Sequence, residues 1–297
     1  MDDATLTALR TGASALSDIG LATMAGALAT LALLHDTSSD WALRGARRCR
    51  VLFMRASLLA VFASLAWLEL QAIVMTELPP GAALLATGDI VSGTSFGRAW
   101  TIAAAALAAC VSLALACRDR SLPVRLLGVL LTVVAAAHAS AGHAGANGLG
   151  WRVPTIAVHI LATGLWAGGV FAAALVVARG TPDAIDSARY AGRLSALATA
   201  ALAGTIATGL AAAWHGLGGS LAPLLPGGGS SWGTLLDAKL VLVAIAVALG
   251  GFNRFAVLPS LPSAWPRFVR VLRVEAVVLL AVLVAAALLA NGEPPAA

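Results

Sequence analysis

LLGVLLTVVAAAHASAGHA, residues 126–144, decides how the chain is read. Its first twelve residues carry no charge and nothing more polar than a threonine, and two histidines, His138 and His143, then follow close together. A helix needs about 20 mostly apolar residues to cross a bilayer. The stretch therefore reads as a membrane span, and its histidines as either a helix end meeting water or ligands held within the membrane.

The rest of the chain repeats the pattern. Of 297 residues, 60% are hydrophobic and 11% charged, with a mean hydropathy of +0.90. A soluble globular domain has roughly 25% charged residues. Eight stretches qualify as spans: 15–34, 51–75, 97–117, 122–145, 153–178, 193–216, 233–252 and 268–290. In lipid the backbone must satisfy its own hydrogen bonds, so these spans are helices. The expected fold is an all-α polytopic membrane protein with eight transmembrane helices, in one membrane domain over 1–297. The acidic start, MDDATLTALRTG, does not read as a cleaved signal peptide.

The pI near 10 would suit a nucleic-acid partner, but the basic residues are arginines lying between apolar runs, so none is expected. Arg44, Arg47, Arg48 and Arg50 follow the first span; Arg118, Arg120 and Arg125 the third; Arg179, Arg189 and Arg193 the fifth; Arg254, Arg267, Arg270 and Arg273 the seventh. The intervening loops are nearly free of Lys and Arg. By the positive-inside rule the arginine loops face the cytoplasm and both termini the periplasm.

Three sequence echoes, each offset by about 140 residues, point to duplication. TSFGRAW (94–100) matches SSWGTLLDAK (230–239), LAT recurs at 21–23 and 161–163, and VRLL (124–127) resembles VRVL (269–272). The expectation is two four-helix repeats in parallel orientation, 15–145 and 153–290, a plan that places binding sites at the repeat interface in many transporters.

This orientation gives each polar residue a depth. His138, His143, His159 and His215 fall in one outer layer, as do Asp18, Glu69, Asp237 and Lys239. Ionisable groups inside a membrane are costly and mark function by default, and neutral imidazole is the commonest metal ligand. His138, His143, His159 and His215 are the candidate metal ligands; Asp237, Glu69, Trp166, Asp18, Lys239 and Met24 are candidate supporting or pathway residues. His159, Thr163 and Trp166 share a helix face, and Gly164 and Gly168 permit a close helix approach. Asp237 and Glu69 are expected to receive the second ring N–H of His159, and Glu275 to pair with Arg273 or another arginine. Cys110, Cys117 and Met75 have the donor type but read first as packing residues.

HASAGHA, HILATGLWAGG (159–169), SSWGTLLDAK, GGFNRFAVLPSLP (250–262), VLRVEAVVLL (271–280) and ANGEPPA together resemble the copper resistance protein D (CopD) family of bacterial inner-membrane proteins. The resemblance implies an eight-helix multi-pass protein that binds copper, Cu(I) or Cu(II), and moves it across the membrane, with import favoured. It also implies a periplasmic CopC-like copper-binding partner. The sequence has no P-loop and no soluble phosphorylation domain, so neither an ATP-driven pump nor an enzyme is expected. Two readings stay open beside transport. One is a redox protein holding b-type haem between paired histidines. The other is a membrane protein that only hands copper to a partner.

Overall fold

A computed structural model describes residues 2–37, 39–117, 121–141, 150–216 and 231–292. Over these residues it shows nine helices: α1 (Asp3–Leu34), α2 (Asp40–Thr76), α3 (Pro80–Gly93), α4 (Ser95–Ala116), α5 (Val124–Ala141), α6 (Arg152–Ala172), α7 (Ala184–Gly216), α8 (Ser231–Phe252) and α9 (Trp265–Asn291). All but α3 are long and apolar enough to cross a membrane. The protein is an all-α, multi-pass membrane protein.

Three helices begin well before their apolar spans: α1 at Asp3, α2 at Asp40 and α7 at Ala184. Hydropathy marks only the lipid-embedded part, whereas helical hydrogen bonding continues into the interface, where arginines stay solvated. Asp2 caps α1, accepting from the Thr5 N–H at 2.7 Å, and Ser39 caps α2. α3 falls in a segment expected to be loop. Pro80 starts it, where a missing N–H costs nothing, and Ala83 and Ile90 pack against Leu68, Ala72 and Phe96. The turn from α3 into α4 is so tight that a Cβ on Gly97 would lie 2.2 Å from the Ile90 carbonyl oxygen.

α1 and α6 form the centre and are the most buried spans; α7 and α8 are the least buried. The central pair cross in backbone contact. A Cβ on Gly26 would sit 1.8 Å from the Gly168 carbonyl carbon, and one on Gly168 would sit 1.7 Å from the Ala22 carbonyl oxygen. Small residues four apart on both helices allow this approach, as expected for Gly164 and Gly168. α1 packs on α2, α5 and α9, and α6 packs on α7, α9 and α5. The α2–α4 pair is in contact, whereas α7 and α8 barely touch.

The loops after α1, α6 and α8 are tied together at one end of the bundle. Arg193 donates to the Leu33 carbonyl at 3.1 Å and to Asp36 at 3.2 Å; Arg48 donates to the Arg179 carbonyl at 2.7 Å. Trp41 packs edge-on to Tyr190 and Trp265, and Trp265 donates to the Gly180 carbonyl. The Ser39 hydroxyl donates to Asp186. The hydrogen bond from His35, with Arg193 beside it, holds the Asp36 carboxyl below the ordinary carboxylate range. Arg48 of α2, Arg179 after α6 and Arg193 of α7 all lie here, so arginine-bearing segments from both halves of the chain share this end.

Candidate metal-handling cavity

Where α7 and α8 part, a cavity of about 550 Å³ opens, with α1, α5, α6 and α9 contributing its remaining walls. Most of its lining is aliphatic. The polar exceptions are Asp18 of α1, His159 and Thr163 of α6, Thr205 of α7 and Lys239 of α8, with the indoles of Trp166 and Trp214. The α1–α6 crossing explains the juxtaposition. Backbone contact at Ala22, Gly26 and Gly168 brings Asp18, one turn before Ala22, onto the same cavity as His159.

The hydrogen bonding of His159 determines its chemistry. Its Nδ1 lies 3.0 Å from the Thr208 hydroxyl oxygen on α7. Thr208 donates its single hydroxyl proton to the Gly204 carbonyl, 2.6 Å away. The hydroxyl oxygen must therefore accept from Nδ1–H. The Thr205 backbone also engages the ring as an acceptor. Thr208 therefore places the proton on Nδ1, so the neutral ring keeps its lone pair on Nε2. Gly209 gives the ring room, since a Cβ there would lie 3.1 Å from His159 Cε1. The second N–H thus finds α7 hydroxyl and carbonyl oxygens, not Asp237 or Glu69 as expected.

Charge in the cavity is mixed. Asp18 interacts electrostatically with Lys239 and with His138. Opposite charges in an apolar surround cost less together than apart, so Asp18 and Lys239 offset each other.

The other expected residues lie elsewhere. His138 does not line the cavity; α5 turns this ring toward α2, where it stacks on Trp67 with centroids 5.7 Å apart. The expected convergence of His138 with His159 is not met, because Trp67 offers His138 an aromatic face on the other side. His143 and the His215 side chain lie outside the described residues. Asp237, two positions from Lys239 and so on another face of α8, is exposed. Glu69 accepts from Thr87 of α3 at 3.2 Å. Met24 is fully buried among Phe53, Leu107 and Cys110, as a packing residue. Among the described residues no three His, Cys, Asp or Glu side chains gather as a metal cluster.

Trp166 is 3% exposed and lines this cavity and a second one of about 380 Å³, shared with Glu275, Asn253 and Arg254. Glu275 is buried and accepts a hydrogen bond from Trp166. Its expected arginine partner is absent among the described residues, because Arg270 and Arg273 are exposed and Glu275 faces inward. Sequence reasoning missed Thr205 and Thr208. Their signal is GTIATG (204–209), two hydroxyls three apart in an otherwise apolar helix.

Comparison with known families gives two matches. A model described as Copper resistance protein D matches residues 188–289, and one described as Copper resistance protein D-like, N-terminal domain matches residues 1–153. No curated protein and no solved structure matches the chain.

Proposed function

The chain belongs to the copper resistance protein D family, and from that premise we propose that it moves copper across a bacterial inner membrane, into the cell, through the cavity containing His159. The observation that carries this reading is the fixed His159 tautomer. Thr208 holds Nδ1–H, which leaves Nε2 as a lone-pair donor on a ring lining the cavity. A metal-binding histidine has this arrangement, its other N–H held by an oxygen acceptor. Imidazole suits copper.

Lys239 fits transport better than storage. A cargo site must bind its ion and also let it leave. A cationic side chain in the same cavity weakens cation binding, and Asp18 offsets part of that charge. The protein works as a carrier, not an enzyme. The arginine-rich end faces the cytoplasm by the positive-inside rule, so a periplasmic CopC-like protein would deliver copper to the opposite face.

The test is copper content and uptake of His159→Ala, purified and reconstituted in vesicles. Folding should stay near wild type, because the substitution removes the polar group together with its need for a partner. Bound copper and uptake should both fall sharply. Wild-type copper content in this variant refutes the assignment. A Soret band in the purified protein would instead support haem.

A further inference from the structure

We infer that the second cavity holds a cation site of its own, in which the Glu275 carboxylate and the Asn253 amide oxygen take a small, hard, monovalent cation, a proton or sodium. This deepens the transport reading, since such an ion is the one that would be coupled to copper movement. The site itself can nonetheless be tested without copper.

The cavity of about 380 Å³ shares Trp166 with the His159 cavity, and both donor residues line it. Asn253 opens a π-helical turn, Asn253–Val257, that continues α8. Such turns are rare and occur often at functional sites, where the extra residue re-aims side chains. Asn253 is 4% exposed, its amide N–H₂ donates to the Phe268 carbonyl at 3.5 Å, and its Oδ1 is buried with no partner. Flipping the amide does not help, because it would set Oδ1 against the Phe268 carbonyl oxygen. A buried acceptor without a donor calls for an explanation, and a cation supplies one. Glu275, 3% exposed, adds an ionisable carboxyl with a hydrogen bond from Trp166.

The donor chemistry selects the ion. Carboxylate and amide oxygens suit hard cations, while copper is better served by imidazole or sulfur. The site is thus not a second copper station. Among the described residues one other charged side chain, Arg254, lines the cavity. Its guanidinium donates to the Ser195 carbonyl and hydroxyl and to the Thr199 hydroxyl, at 2.9–3.4 Å. On α9 itself, Arg270 and Arg273 are exposed. Trp166 contacts Glu275 and also walls the copper cavity, so it links the two sites physically.

Infrared difference spectroscopy on the copper-free, reconstituted full chain tests this in two arms. In the first, pH is raised without sodium; in the second, sodium is added at constant pH against a choline control. The expected result is loss of a protonated-carboxyl band in wild type in at least one arm, and no such loss in Glu275→Gln, which retains an acceptor for Trp166. A response in the first arm alone assigns the site to protons; a response in both assigns it to exchange of a proton for sodium. Asn253→Ala should shift the midpoint of the response at least tenfold in ion concentration. His159→Ala should keep the full response while losing copper, which separates failure of this site from failure of the copper assignment. A band that persists in both arms, or that is lost equally in Glu275→Gln, overturns the inference. An unshifted midpoint in Asn253→Ala removes Asn253 from the site and overturns it as stated.

Discussion

Replacing Gly168 by Ala tests the contact on which the cavity containing His159 depends. The added Cβ would lie 1.7 Å from the Ala22 carbonyl oxygen, 2.6 Å from its carbon and 2.9 Å from the Gly26 nitrogen. All three are backbone atoms, so no side chain can rotate away. Restoring an ordinary 3.4 Å contact requires α1 and α6 to part by about as much again as the 1.7 Å they now leave. Overpacking a core costs about 1–3 kcal/mol and occasionally more. Alanine's higher helix propensity returns about 1 kcal/mol. A clash with rigid backbone belongs at the upper end of the first range, so the net effect is destabilising. Gly164→Ala is the control: its Cβ meets the Ala25 side chain at 3.3 Å, which a shift of a few tenths of an ångström relieves. Reversible unfolding in mixed micelles should show Gly168→Ala clearly less stable than wild type and Gly164→Ala close to it. Because the same crossing sets Asp18 and His159 on one cavity, copper binding should fall in Gly168→Ala even where the protein stays folded. Wild-type stability and copper content in Gly168→Ala would show that the two helices do not meet backbone to backbone.

Thr208→Val keeps the side-chain shape but removes the acceptor for His159 Nδ1–H; loss of such a partner costs about 10–100-fold in metal affinity. A drop of about tenfold is expected, since the Thr205 backbone still engages the ring, and a copper titration showing unchanged affinity would reject the tautomer argument. We also propose that 15–145 and 153–290 are duplicated four-helix units. The support is that α1 and α6 each pack on the helix that follows, on the last span of their own half and on the last span of the other half. On superposing the two halves α4 should fall on α8, and alignment with any other span would end that proposal.

Apolar patterning alone makes this an eight-span helical membrane protein. The sequence also singled out His159 and the small-residue face of α6. Lipid acts as the solvent here, so apolar length alone commits a segment to a span, and the property is local to each segment. Sequence also marked the arginine clusters, which the fold gathers from both halves at one end. Depth along a helix was legible for the same reason, which is why Asp18, Lys239 and His159 were placed in one layer. Direction around the helix was not. His138 and His159 share that layer, yet His138 turns to Trp67 while His159 faces the cavity, because the choice depends on which neighbour offers a ring or a hydroxyl. Glu275 looked like a partner for nearby arginines and instead turns inward to Trp166. Helix packing settles these orientations. The backbone contact of α1 with α6 fixes which faces meet, and the parting of α7 from α8 opens the space in which Asp18, His159 and Lys239 come together.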